Sequence, residues 1–422
     1  MADATLDQAV LTTADGRPLK QSLAIADRRK KIVAVGLVFP LLAFILITFA
    51  FPIADMLFRS VDNPRVAKYL PNTLATLQDW RGAEGELPGE ATYAALAEDL
   101  VAATKAKDIG KVATRLNYDV SGIRSAVMKT GKRLLDVEAG PYKDLILGMH
   151  RKWGEVATWA ALKRAGVEIT GDYFLRSVDL TYNSADEIVA QPKERQIYVK
   201  LFVRTLWISL LITGACVLLA YPIAYLMATI PTRYSNLLII LVLLPFWTSL
   251  LVRTTSWIAL MQSQGVVNDI FVWAGFVTDE GRIQMMHNMA GTIIAMIHIL
   301  LPFMVLPAYS VMKTISPYHV RAAKSLGATP ARAFWTVYFP QSIPGIGAGS
   351  ILVFILSIGY YITPALVGGR TGQLISNLIA FHMQKSLNWG LAAALGSILL
   401  ACVIVLYWLY NRLIGIDNMK MG

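Results

Sequence analysis

Long apolar runs separated by shorter polar joints dominate the chain. Six of them reach the length needed to cross roughly 30 Å of hydrocarbon as helices, near 32–58, 202–229, 236–261, 288–311, 341–366 and 389–411. The pattern predicts an all-α membrane protein with six transmembrane helices. Pro40, Pro52, Pro222, Pro245, Pro302 and Pro364 lie inside these runs. Prolines at membrane depth need neighbours that re-satisfy the freed carbonyls, so kinked and mutually packed helices are expected rather than lone anchors.

Two polar stretches interrupt the runs. The first, 59–199, shows apolar residues at three-and-four spacing over Glu90 to Lys105 and Val120 to Val137, with breaks at Pro71, Pro88, Pro141 and Gly154. Alternating patterns are scarce, which predicts a small, mostly helical inserted subdomain. The second lies between the fourth and fifth runs, at 313–340. It reads as a helix–turn–helix built on Arg321-Ala322-Ala323-Lys324-Ser325-Leu326-Gly327-Ala328 and closed by Phe339-Pro340. The alanine pair offers a smooth helical face, and Gly327 permits a sharp turn or a close backbone approach. On these residues alone, a docking knob for a soluble partner and an ordinary interhelical loop both remain open.

With 55% hydrophobic residues, 16% charged and a mean hydropathy of +0.50, the chain is too apolar for an ordinary soluble domain. Its net charge of +11 gathers beside the apolar runs, which is the membrane-orientation signal and not a nucleic-acid patch. Arg28 to Lys31, Arg233, Lys313 to Arg332 and Arg412 share one side if both termini are cytoplasmic. This gives cytoplasmic tails at 1–31 and 412–422, an extracytoplasmic insertion at 59–199 and a core at 200–411. The polar residues ahead of the first run are too many for a cleavable signal peptide. Cys216 and Cys402 both fall in apolar runs, so neither a disulfide framework nor a metal site is indicated.

Transport against a gradient needs an energy source. No phosphate-binding loop is present, since Thr130-Gly131-Lys132 lacks the upstream glycine. Carboxylates are nearly missing from the runs, Asp55 near one end being the exception, and a proton relay normally needs them. His298 is the deep candidate, more readily explained as a hydrogen-bonded packing residue. No catalytic or metal-binding constellation stands out, so the chain is not expected to be an enzyme. Candidate pathway residues are Trp247, Thr248, Ser249 and Arg253 in the third run and Tyr360, Tyr361 and Thr363 in the fifth. Arg253 needs a partner, a watery cavity or a snorkelling route, with Trp257 then an interfacial anchor. The tyrosine break either lines a pore or packs at the interface.

At Tyr221-Pro222-Ile223-Ala224-Tyr225, Leu244-Pro245-Phe246-Trp247-Thr248-Ser249, Val252-Arg253-Thr254, Leu301 to Pro307, Pro344-Gly345, Thr363-Pro364 and Gly368-Gly369, the chain resembles the permease subunits of binding-protein-dependent ABC importers, most of all the spermidine/putrescine branch. The resemblance covers the first run and about 200–411. It implies a type I importer fold in the bacterial inner membrane and makes 313–340 the so-called EAA loop, whose helix docks on an ATPase. Ala322, Ala323 and Gly327 match that loop, Leu326 leads into its glycine, and Arg321 and Ser325 stand where the family carries acids. It also implies a second homologous permease, two ATPase subunits that hold ATP and magnesium, a periplasmic solute-binding protein and membrane lipid as partners, with no cofactor in this chain. Where polyamine permeases carry acids in the fifth run, this chain has Tyr360 and Ala365. The expected cargo is a small polar solute: polyamine-like, an amino-acid derivative or opine-like. The alternatives are a secondary carrier or channel not driven by ATP, or a receptor built around the insertion, which in the family is normally a short loop.

Overall fold

A computed structural model describes the backbone of residues 19–81, 85–183 and 187–414, and the side chains of 27–81, 85–183 and 187–412. The expected tails before residue 19 and after residue 414 lie outside the described residues. Two units are formed, divided between Phe58 and Arg59.

The described residues of the first unit form one long helix, Leu19–Ile45 continued by Phe51–Arg59, whose last residue opens the second unit. It begins well before the apolar run at 32, so part of the expected tail is helical. Between the two segments a π-turn covers Leu46–Ala50. Its position has a cause: the ring of Pro52 would strike the carbonyl of Thr48, four residues back, and the wider turn relieves that contact. The same device recurs at Phe334–Tyr338, just ahead of Pro340.

The second unit starts with the insertion. Glu90–Lys105 is helical with the expected bounds. Val120 is extended and Gly122 left-handed, so the next helix begins at Ile123, runs to Arg133 and finishes as the 3₁₀ turn Leu134–Asp136. These helices and Ile109–Asp119, Tyr142–Met149 and Val156–Ala165 enclose a core centred on Trp153 and Trp159, both fully buried, with ring centroids 5.7 Å apart. The indoles are satisfied there, Trp153 donating to Thr130 Oγ1 at 2.9 Å and Trp159 to the Trp153 carbonyl at 2.8 Å. An antiparallel pair, Leu180–Tyr182 with Ile188–Ala190, was not expected. Three residues per strand are too few for an alternating pattern to register.

The insertion is fastened to the membrane helices by polar contacts. Asp179, held at φ +61°, accepts from the backbone N–H groups of Ile197, Tyr198 and Val199 at 3.0, 3.0 and 2.9 Å. It thereby caps the helix Tyr198–Thr229 from eighteen residues upstream or more, satisfying donors that a helix start leaves orphaned. Tyr198 OH meets His382 Nε2 at 3.2 Å, and Tyr118 OH donates to the Ser386 carbonyl at 2.7 Å.

Tyr198–Thr229, Met289–Thr314, Pro330–Gly359 and Trp389–Arg412 are long and apolar enough to cross a membrane, as is Asp27–Arg59, all but its last residue in the first unit. The core of the bundle is formed by Ile208, Ile212, Cys216, Ala220 and Ala224 against Met296, Leu300, Met304 and Val353. Pro330–Gly359 crosses Met289–Thr314 tightly, for a Cβ on Gly345 would lie 2.9 Å from the Pro307 carbonyl oxygen. Small residues at such crossings let membrane helices approach closely.

Two spans differ from the expected ones. The third, expected as a single helix over 236–261, is broken: Thr232–Leu243 runs into a 3₁₀ turn at Leu244–Trp247, and Leu250–Met261 leaves at a bend of 98°. Pro245 removes a donor, and Thr248 is extended at ψ 145°. The fifth, expected at 341–366, runs from Pro330 to Gly359 and ends at the tyrosine pair. With the π-turn absorbing Pro340, the helix passes through the proline that marked its start in the sequence.

Candidate functional site

The segment 313–340 is a helix, a turn and a second helix, as its sequence predicts. Ser316 accepts from the Tyr318 N–H at 3.4 Å and Pro317 occupies the first turn, which starts the helix Pro317–Ser325. It stops at Gly327, which has φ +91°. Ala328 N–H bonds the Ala323 carbonyl and Gly327 N–H bonds the Lys324 carbonyl, both at 3.0 Å. This paired arrangement is the Schellman motif, which needs a left-handed residue at the glycine position. No atom lies within 4 Å of a Cβ built on Gly327, so the glycine serves the turn and not a close approach. The next helix opens on Thr329, which caps Arg332 N–H at 3.3 Å, and continues through the π-turn into the fifth span.

Arg321, Ala322, Ser325 and Leu326 are exposed and Ala323 is half-buried. Leu326 is 89% exposed at the tip, a large apolar side chain that no described residue covers. Arg321 stacks over the Tyr318 ring at 5.7 Å. On the inner side Val320 packs on the bundle core. Below it, Phe334 and Tyr338 meet Tyr225 edge-on at 5.5 and 5.1 Å, and Phe339 meets Tyr221 at 5.7 Å. Densely packed aromatic contacts resist deformation. The knob is therefore joined to the second span by the Tyr221–Tyr225 stretch.

The pathway candidates divide into two groups. Trp247, Thr248 and Ser249 form the break in the third span. Trp247 is 73% exposed, Thr248 Oγ1 donates to the Pro245 carbonyl at 2.9 Å, and Ser249 caps the next helix by accepting from Val252 N–H at 3.2 Å. Arg253, Tyr360 and Thr363 instead come together from the third and fifth spans. Thr254 and Thr363, both fully buried, join their hydroxyls at 3.2 Å. Arg253 lies on the helix Leu250–Met261 one turn before Trp257, which bonds His298, and beside Thr254, which bonds Thr363. Its Nε is shielded from solvent and has no hydrogen-bond partner among the described residues. Tyr361 is exposed. The carbonyls freed at the tyrosine break are taken up by the helix Ile375–Gln384, Ser376 Oγ donating to Tyr360 at 2.6 Å and Asn377 Nδ2 to Tyr361 at 2.7 Å.

His298 belongs to this second group. It is exposed, and Trp257 donates to its Nδ1 at 3.1 Å with the rings 5.2 Å apart. The hydrogen bond expected of a packing histidine is present, but the side chain is exposed. Trp257 is thereby placed in the cluster. Its separation from His298 in sequence hid the pairing.

Residues 212–414 match the family described as binding-protein-dependent transport system inner membrane component. The insertion lies outside that match. The spermidine/putrescine transport system permease protein PotB of Escherichia coli (strain K12) is 31% identical over 222 residues, covering 52% of this chain and 80% of PotB. PotB of Haemophilus influenzae is 33% identical over 226 residues, covering 52% and 78%. The inner membrane ABC transporter permease protein YdcU of Escherichia coli (strain K12) is 31% identical over 225 residues, covering 51% and 71%.

Proposed function

Because the chain belongs to the family of binding-protein-dependent transport system inner membrane components, and so is a permease subunit for solute import, we propose that it works by docking the knob Pro317–Leu326 on a cytoplasmic ATPase. The observation that carries this reading is the knob itself: a capped, exposed helix, closed at Gly327 and packed through Phe334 and Tyr338 onto Tyr225. A helix with an exposed outer face and an inner face packed on the bundle at Val320 transmits a push.

Two ATPase subunits, holding ATP and magnesium, engage this chain and a second homologous permease. ATP binding closes the ATPases, and the knob moves with them as a rigid body. The aromatic contacts carry that movement to the second span and switch the pathway from inward- to outward-facing. A periplasmic binding protein then releases a small polar solute beside Trp247, Arg253 and Tyr360. The permease stays in the inner membrane with both termini and the knob in the cytoplasm, as the basic residues flanking its spans support. ATP hydrolysis belongs to the partner, a reading supported by the lack of a G-x-x-x-x-G-K-[ST] run in this sequence.

Cysteine cross-linking tests the docking. A Leu326→Cys variant in the assembled complex is expected to cross-link to the ATPase, and Tyr182→Cys in the insertion is not. Equal cross-linking at both positions, or at neither, refutes the docking surface.

A further inference from the structure

Among the described residues, no carboxylate pairs with Arg253. Between residues 200 and 412 the carboxylates are Asp269, Asp279 and Glu280. Arg282 holds Asp269 and Asp279, each at 2.8 Å, and Glu280 is exposed in the joint between the third and fourth spans. None of them pairs with Arg253, whose shielded Nε still lacks an acceptor among the described residues. A charged side chain in an apolar span calls for a compensating partner or for water.

The neighbours of Arg253 add donors. His298 accepts from Trp257 at Nδ1. In the neutral ring that assigns its proton to Nε2, leaving an N–H on an exposed side chain. Tyr360 contributes a half-buried hydroxyl. The Thr254 hydroxyl is already spent on the Leu250 carbonyl at 2.9 Å and on Thr363. The cluster is thus positive, rich in donors and poor in acceptors. Lys200, Arg204, Arg370 and Lys385 extend the same sign toward the end of the spans where Arg204 donates to the Thr371 carbonyl at 3.1 Å. A diamine brings further positive charge and further donors to this place, whereas a carboxylate matches the guanidinium fork in charge and geometry.

We infer that Arg253 and His298 form the recognition point for a carboxylate, and that the transported solute carries one. The inference rests on the importer reading and narrows its cargo. Three spans are joined at this point, Trp257 of the third bonding His298 of the fourth and Thr254 of the third bonding Thr363 of the fifth, so relative movement of the spans opens or closes the grip.

The test uses the complete importer, with its ATPase, second permease and binding protein, in proteoliposomes. The solute taken up with ATP from a cell extract presented by the binding protein is identified by mass spectrometry, and its uptake is then measured in variants. A cargo bearing a carboxylate is expected. Arg253→Gln is expected to raise its KM about 10- to 100-fold, the range of one charge-assisted hydrogen bond, and Arg253→Lys, which keeps the charge but not the fork, to restore only part of the loss. If Arg253→Gln does not assemble, His298→Phe carries the test through a smaller rise in KM. A cargo with amines and no anionic group overturns the inference, as does an assembled Arg253→Gln complex with the wild-type KM. Wild-type proteoliposomes without any ATP-dependent uptake overturn the importer reading instead, and this inference with it.

Discussion

Replacing Gly327 by Ala leaves the space around the residue unoccupied but raises the energy of its backbone. The glycine sits at φ +91° with no heavy atom within 4 Å of a built Cβ, so the cost is conformational and not steric. Holding an L-residue in the left-handed region costs about 1 kcal/mol, and 1.36 kcal/mol corresponds to a tenfold change in an equilibrium. The Schellman turn should therefore be formed about fivefold less readily in Gly327→Ala. Gly327→Pro goes further. Proline fixes φ near −65° and removes the N–H that bonds the Lys324 carbonyl at 3.0 Å, so the turn cannot form at all. Co-purification of the ATPase after detergent extraction, alongside thermal unfolding of the permease alone, separates loss of docking from loss of fold. The expected series is wild type, then Ala with about fivefold weaker retention, then Pro with none, while the melting temperature of the permease stays near wild type. A Pro variant that retains the ATPase and coupled uptake refutes the reasoning, as does an Ala variant as damaged as Pro.

Three further outcomes follow from contacts elsewhere. Asp179→Ala removes an acceptor for three backbone N–H groups at the start of the second span. It should destabilise that helix start by about 1–3 kcal/mol, read as faster hydrogen exchange at residues 197–200, with Asp179→Asn intermediate. Burial pulls His382 down to about 4, below its ordinary 6.5, while Tyr198 and Ser386 hydrogen-bond the neutral ring. Its contribution is then complete above pH 6.5 and lost as pH falls from 6.5 toward 4, by on the order of 3 kcal/mol in total. A His382→Gln variant should melt with a flatter pH dependence across that window, and an unchanged slope contradicts the assignment. A double-mutant cycle of Thr254→Val and Thr363→Val should give a coupling of about 0.5–1 kcal/mol from the hydroxyl pair. Additive effects in thermal unfolding would mean that the two spans are not joined there.

Much of the architecture was legible because membrane spans announce themselves by apolar length, and helix 90–105 by its spacing. The knob was legible too: Ala322-Ala323 and Gly327 mark a helix and its end by local chemistry. What escaped depended on events beyond a short window. The π-turn at Phe334–Tyr338 lets the fifth span run through Pro340, which the sequence makes look like a boundary. The third span breaks because Pro245 coincides with an extended Thr248, and a tolerated proline and a breaking one read alike. The cluster at Arg253 needed three spans to assemble. Thr363 and Tyr360 were marked individually, while Trp257 and His298 become partners only in space. The anchoring of the insertion by Asp179 gives no local signal at all, being a cap supplied from outside the helix it serves.

Uptake by proteoliposomes most directly tests the claim that this permease is powered from outside through its knob. The membrane should contain this chain, its second permease and the ATPase, with the binding protein added outside and ATP enclosed. The account predicts solute accumulation that requires enclosed ATP, persists when the proton gradient is collapsed, and disappears with Gly327→Pro. Accumulation driven by a proton gradient in vesicles lacking the ATPase would contradict it.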